Sequence, residues 1–267
     1  MDKSLHISSK GIGPSIVLLH GWGTHSGIWQ QTVELLKDDF CVTVFDLPGY
    51  GSNREAFDLG SSGPQFDIMC EQINAAITEP AIWLGWSMGG LLATGVALKY
   101  PAKVKQLILV ASTPRFISDP DSDWQAMEPK TFEVFAEQLQ QDYQSTLKRF
   151  MLLQTQHADN SMASLKLLRR QWQKIEAPLS EVLEAGLTIL QNTDLRNQLS
   201  RLTCHLSFIY GQLDTLARPG LLTSMKKYHT KFDWVVIQKA AHTPFLSHVE
   251  VFQKQLVKMI ADNGGLQ

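Results

Sequence analysis

Cysteine is scarce in this chain: Cys41, Cys70 and Cys204 are the only three in 267 residues. They are scattered, and two lie in apolar strand-like runs. That spacing excludes a disulfide framework and predicts buried thiols in a reducing, cytoplasmic compartment. Long apolar runs are missing too, so no membrane span is expected, and Met1-Asp2-Lys3-Ser4-Leu5-His6 has no apolar signal core. Neither sign of charge dominates. A net charge of −2 and a pI near 6.4 argue against a general nucleic-acid binder. No His, Cys or carboxylate pairs recur at metal-ligand spacing, and no Gly-x-Gly-x-x-Gly follows the first strand-like run, so neither a metal nor another cofactor is expected. Repeats and low-complexity tracts are also lacking.

What is present is an alternation. Short apolar runs at Ile16–Leu19, Phe40–Phe45, Ile82–Leu84, Leu107–Ala111, Leu206–Tyr210 and Trp234–Ile237 are continuous, which suits strands buried on both faces of a mostly parallel sheet. Helical spacing follows the first three, with Leu91, Leu92, Val96 and Leu98 in a helix that stops before Pro101. The fold class expected is α/β, a doubly wound sheet whose ligands sit at the carboxyl ends of the strands.

The alternation breaks between 116 and 194. The acidic loop Asp119–Asp123 leads into helical stripes: Phe132, Phe135, Leu139, Tyr143, Leu147, Phe150 and Met151, then Met162, Leu165, Leu168 and Trp172. Pro178 is expected in the first turn of a further helix holding Val182, Leu183 and Leu190. The division expected is a core of 1–115 and 195–267 with an all-helical lid at 116–194, placed over the ligand-binding edge of the sheet.

Gly85-Trp86-Ser87-Met88-Gly89-Gly90 follows the third run. Gly-x-Ser-x-Gly between a buried strand and a helix puts a serine on a strained turn with its hydroxyl above the sheet. A serine needs a base, and the base needs an orienting acid. Asp214 lies just past the fifth run and His242 just past the sixth, in the chain order Ser, Asp, His that this topology requires. Of eight histidines, His248 falls within the expected closing helix, His20 is expected to brace its own loop, and His157, His205 and His229 match no position. Asp194 and Asp233 are rival acids without a glycine-led strand-end loop. Asp46 reads as a turn-fixing residue ahead of Pro48-Gly49-Tyr50-Gly51. The oxyanion donors expected are the backbone N–H groups of Met88 and Trp22, the latter in His20-Gly21-Trp22-Gly23, with the Trp22 indole walling an acyl pocket.

These motifs, with Ala240-Ala241-His242-Thr243-Pro244-Phe245 and the segment Arg149-Phe150-Met151-Leu152-Leu153-Gln154, resemble the α/β-hydrolase superfamily over nearly the whole chain. They are similar in particular to its pimeloyl-acyl-carrier-protein methyl ester esterases of biotin synthesis. The resemblance implies a serine carboxylesterase that releases methanol from a carrier-bound dicarboxylic acyl chain. It also implies substrate contacts at Trp22, Ser87, Met88, Phe150, Met151, Leu152, Leu153, Gln154 and His242. Lys148, Arg149, Lys166, Arg169, Arg170 and Lys174 face Asp159 as the sole acid between Thr146 and Ile175, a basic surface suited to steering an acidic carrier protein. The first five are the docking residues expected. The likeness departs at Ser145, Met162 and Lys166, where relatives carry arginine, and lysine lacks the bidentate fork. A monomer is expected. Two alternatives keep the fold: a broad short-acyl esterase or carbon–carbon bond hydrolase with the same triad, and a non-catalytic small-molecule receptor. Ester turnover that Ser87→Ala abolishes separates the enzymes from the receptor.

Overall fold

The computed structural model describes residues 4–57 and 64–264. Strand β1 (Ile7–Lys10) is followed by β2 (Ser15–Leu19), helix α1 (Gln30–Leu36), β3 (Cys41–Phe45), α2 (Gln65–Ala76), β4 (Ala81–Trp86), α3 (Met88–Lys99) and β5 (Val104–Val110). Four helices then run without a strand: α4 (Pro129–Gln141), α5 (Tyr143–Thr155), α6 (Ser161–Trp172) and α7 (Ser180–Asn192). The sheet resumes with β6 (His205–Gly211), and α8 (Leu221–Met225), β7 (Phe232–Ile237), α9 (Pro244–Ser247) and α10 (Val249–Asp262) close the chain.

The strands form one seven-stranded sheet in the order β1-β3-β2-β4-β5-β6-β7. All neighbours are parallel except β1, which runs antiparallel to β3 with Ile7 opposite Phe45. Strand alternation divides the apolar runs between two cores. Val17, Leu19, Trp83, Leu107 and Leu109 pack with α2 and α3 on one face; Ile16, Leu18, Ile82, Leu84 and Ile108 pack with α1 and α10 on the other. Both faces are covered, which is why these strands read as unbroken hydrophobic runs. Helix α3 is buried from Met88 to Ala97 and carries no polar stripe, as expected of a helix wedged between the sheet and its neighbours.

Three expectations change. β1 was not foreseen: all four of its residues are exposed, so the edge strand carries no apolar signature. The stripe from Phe132 to Met151 is two helices, because Asp142 leaves the helical region and caps α5 by accepting from the Ser145 N–H at 3.1 Å. Pro178 lies just ahead of α7 and not in its first turn, and His248 sits at the break between α9 and α10 and not inside a helix. No helix among the described residues is long and apolar enough to cross a membrane.

Candidate active site

Ser87 joins β4 to α3 at φ 55, ψ −123, a conformation costing about 1–3 kcal/mol in a non-glycine residue. Close packing around the turn explains the glycines. A Cβ on Gly85 would stand 2.4 Å from the Cα of Gly90, and one on Gly89 would stand 2.4 Å from the carbonyl oxygen of His20. The turn is also tied down from below. The Ser87 N–H donates to the Val110 carbonyl at 3.0 Å, and Ser112 Oγ donates to the Ser87 carbonyl at 2.7 Å. Tyr210 then donates to the Ser112 carbonyl. Nothing in the motif itself singles out Ser112 or Tyr210; their positions after β5 and within β6 are the one clue.

Asp214 and His242 come together from the ends of β6 and β7. His242 Nδ1 lies 2.8 Å from Asp214 Oδ2, with both side chains buried. An ionised carboxylate only accepts, so Nδ1 carries the hydrogen and the lone pair falls on Nε2. Nε2 is buried and has no hydrogen-bond partner among the described residues. The other oxygen of Asp214 accepts from the N–H groups of Leu216 at 2.9 Å and Ala217 at 3.0 Å, which fixes the carboxylate plane. The His242 backbone is held at both ends: its N–H donates to the Gln154 carbonyl at the end of α5, and its carbonyl accepts from the Trp86 indole at 2.8 Å.

The loop after β2 closes the other side. A Cβ on Gly21 would be 3.2 Å from the Ser87 Cβ, so His20–Gly23 passes directly against the serine. His20 Nδ1 donates to the Gly21 carbonyl at 2.9 Å while Nε2 accepts the Leu47 N–H at 2.9 Å. Burial pushes its pKa down to about 4, so the ring is neutral and braces the loop, as the sequence reading expected. Asp46 accepts from the N–H groups of Ser26 and Ser52 at 2.7 and 2.8 Å. Burial opposes its charge, the N–H groups of Ser26 and Ser52 favour it, and the carboxyl lies below its ordinary value. Trp22 is buried, its indole donating to the Leu183 carbonyl at 2.9 Å and meeting Phe135 and Phe150 edge to face. Met88 opens α3, where first-turn N–H groups have no partner within the helix.

Ser87, His242 and Trp22 line one cavity of ≈ 250 Å³. Its walls are Phe116, Phe132, Phe135, Phe150, Leu187 and Leu190; Glu128, Thr131, Thr215 and Arg218 also border it. Of the five residues expected from α5, Phe150 and Leu153 reach the cavity; Met151, Leu152 and Gln154 do not line it. Helical geometry is the reason. Positions i and i+3 share a face, while Met151 is buried in the core on the α1 and α10 side of the sheet and Leu152 is 43% exposed. Gln154 works through its backbone on His242. Met88 is buried but does not line the cavity wall.

The rival residues are engaged elsewhere. Asp194 accepts from Arg115 and Arg196, Asp233 faces His205 at 2.9 Å, and His248 Nδ1 lies 2.9 Å from Ser247 Oγ. Lys148, Arg149, Lys166, Arg169 and Arg170 are exposed on α5 and α6, and none is in an ion pair among the described residues. A wider, open groove of ≈ 660 Å³ near Phe66, Lys99 and Arg201 is bordered by the rival acid Asp194 but by none of Ser87, Asp214, His242, Trp22 and Met88.

The profile of the α/β-hydrolase fold matches residues 14–249. A pimeloyl-[acyl-carrier protein] methyl ester esterase from Aliivibrio salmonicida is 39% identical over 260 residues, covering 97% of each chain. One from Vibrio parahaemolyticus is 38% identical over 256 residues, covering 96% of this chain and 98% of its own. Among solved structures, a bromoperoxidase from Bacillus anthracis superposes with a TM-score of 0.85 at 19% identity, covering 96% of this chain and 94% of its own. An esterase from Exiguobacterium antarcticum superposes at 0.83 and 23%, covering 96% and 95%. At that identity the two structures speak for the fold alone. The strained serine turn, the buried His–Asp pair and the full-length matches place the chain in the α/β-hydrolase family, on the branch that its Aliivibrio and Vibrio relatives share.

Proposed function

We propose that the protein is a serine carboxylesterase that hydrolyses the methyl ester of pimeloyl-acyl-carrier protein, releasing methanol, in biotin biosynthesis. The observation that carries the chemistry is a serine on a strained turn sharing one apolar cavity with a histidine whose Nδ1 is bonded to a buried carboxylate. Relatives of that name over nearly the full chain supply the substrate.

In this reading His242 Nε2 takes the Ser87 hydroxyl proton as Oγ attacks the ester carbonyl. The negative charge formed on the carbonyl oxygen is met by the N–H groups of Met88 and Trp22. When the tetrahedral intermediate collapses, the C–O bond to the methoxy group breaks and His242 returns its proton to methanol. Water then repeats the sequence: His242 takes its proton, the hydroxyl adds to the acyl carbon, and Ser87 leaves reprotonated with a free carboxylate as product. Asp214 stays ionised throughout, holding the imidazole tautomer and stabilising the imidazolium. Phe150 and Leu153 hold the acyl chain.

Residues 116–194 serve as the lid over the core of 1–115 and 195–267. The lid's exposed cations Lys148, Arg149, Lys166, Arg169 and Arg170 receive the acidic carrier protein, and the monomeric enzyme acts in the cytoplasm. Rescue of a biotin auxotroph lacking its own esterase is the test. Growth with the wild type and none with Ser87→Ala supports the biotin role; rescue by Ser87→Ala, or by neither, refutes it.

A further inference from the structure

The cavity at Ser87 has a direction. Ser87 and His242 are 5% and 1% exposed, whereas Thr131, Thr215, Glu128 and Arg218, which border the same cavity, are exposed. The ester is cleaved at the closed end, and whatever lies at the far end of the acyl chain emerges between these four residues. Phenyl and leucyl side chains wall the space between, so the chain's middle is read by apolar contact alone.

Two charged side chains, Glu128 and Arg218, line the cavity, and they differ in how they are engaged. Glu128, at the start of α4, faces Ser118, whose Oγ donates to it at 3.4 Å. Arg218 is in no ion pair among the described residues. Its backbone nonetheless has a fixed place. The preceding residues Leu216 and Ala217 are bonded to the Asp214 carboxylate, and the Arg218 carbonyl accepts from Leu221 N–H at 3.0 Å at the start of α8. The guanidinium is thus carried by the same turn that orients the acid of the triad, four residues after it.

We infer that Arg218 is a specificity-determining residue that selects acyl esters whose far end is itself a carboxylate: the half-esters of dicarboxylic acids, free of any carrier. This rests on the esterase reading and goes beyond it, adding a carrier-free substrate class to the same site. A guanidinium offers a planar pair of donors matched to a carboxylate. An ester with a plain methyl terminus has nothing for it to bind, and a carboxylate-ended chain short enough to keep its charge inside the apolar walls is penalised for desolvation. The interaction is at a solvent-exposed rim, so its size is that of one exposed ion pair, about fivefold in kcat/KM.

The test compares monomethyl pimelate with methyl heptanoate, which differ only in the terminal carboxylate, as a ratio of kcat/KM within each variant. Wild type is expected to favour the half-ester, the preference appearing in KM and fading at high salt. Arg218→Gln is expected to bring the ratio about fivefold closer to the neutral ester, Arg218→Lys to retain part of the preference, and Arg218→Glu to reverse it. Glu128→Gln, which removes a repelling charge at the same rim, is expected to raise the ratio. An unchanged ratio in both Arg218→Gln and Arg218→Glu overturns the assignment to Arg218 and leaves the esterase reading standing. Failure of the wild type to hydrolyse either ester overturns the carrier-free substrate class, while the esterase reading stands or falls with the biotin rescue.

Discussion

Replacing Arg196 with methionine removes the charge at the point where the chain returns from the four helices to the core. The side chain is 7% exposed. Its Nη2 donates to Asp119 and Asp194 at 2.8 Å each, its Nε donates to Asp194 at 2.9 Å, and its guanidinium lies 5.4 Å from the ring centres of both Trp124 and Tyr228. Asp119 belongs to the chain entering the four helices and Asp194 to the chain leaving them, so one cation fastens both ends. Breaking a fully buried pair costs about 3–5 kcal/mol. Asp194 is 29% exposed and keeps its bond from Arg115, while methionine keeps the apolar contact with the two rings but not the cation–π attraction. The expected loss at pH 7 is therefore about 3 kcal/mol, or roughly 6–12 °C in Tm for a chain of this size.

The pH dependence makes the test sharper. Burial alone would raise the Asp194 pKa, but hydrogen bonds from Arg196 and Arg115 outweigh it and bring the value down from 3.8 to about 2. A depressed carboxyl contributes stability that is fully present above its unfolded pKa and lost as pH falls through the folded one. The gap between wild type and Arg196→Met should be full at pH 7, narrow from about pH 4 downward and nearly close by pH 2. Urea unfolding at pH 7, 4 and 2.5 measures it. A loss under about 1 kcal/mol at pH 7, or one that stays constant down to pH 2.5, refutes the account.

Gly85→Ala should lower Tm by more than 5 °C or prevent soluble expression, because its Cβ meets backbone atoms of Gly89 and Gly90 within 2.5 Å and backbone cannot step aside cheaply; a Tm within 2 °C of wild type by differential scanning fluorimetry contradicts the packing argument. In purified protein, Ser87→Ala should cut p-nitrophenyl ester turnover by at least about 10³-fold with folding intact by circular dichroism, and retained turnover would remove Ser87 as nucleophile. The double charge reversal Arg149→Glu, Arg170→Glu should lower the ratio of kcat/KM for carrier-bound over small ester by about tenfold at low salt, with the effect shrinking as salt rises. Equal slowing of both substrates would remove the docking surface from these helices.

The readable parts of the molecule are those whose causes are local. Each buried parallel strand announced itself because both faces are covered, so every position from Ile82 to Trp86 had to be apolar or glycine. The serine turn was legible because the crowding at Gly85 and Gly89 leaves no room for a side chain, and that requirement shows directly as letters. His242 and Asp214 could be placed because each follows a strand that was already visible. β1 had no such cause: it adds backbone hydrogen bonds at an exposed edge, and backbone pairing does not depend on side-chain type. The break at Asp142 was hidden because a helix interrupted by one residue can keep its apolar period on both sides.

The cavity was legible only in part, for a reason that bears on substrate choice. Its walls come from the chain after β5 (Phe116), from α4, α5 and α7, and from the turn that holds Asp214. No spacing rule links Phe116 to Leu187, and a phenylalanine on α4 facing the core reads the same as one facing a ligand. Within α5 a run of five consecutive residues was expected to touch substrate, yet only Phe150 and Leu153 line the cavity, since a helix turns Met151 and Leu152 to other sides. Catalysis needs a few groups in one fixed geometry, so it is written in short motifs on adjacent loops. Selectivity needs only a surface of the right shape and charge, which many segments contribute and few mark individually. Arg218 follows from that difference: in sequence it is one arginine after a loop, and it becomes informative only once Asp214, the apolar walls and the exposed rim fix where its charge can act.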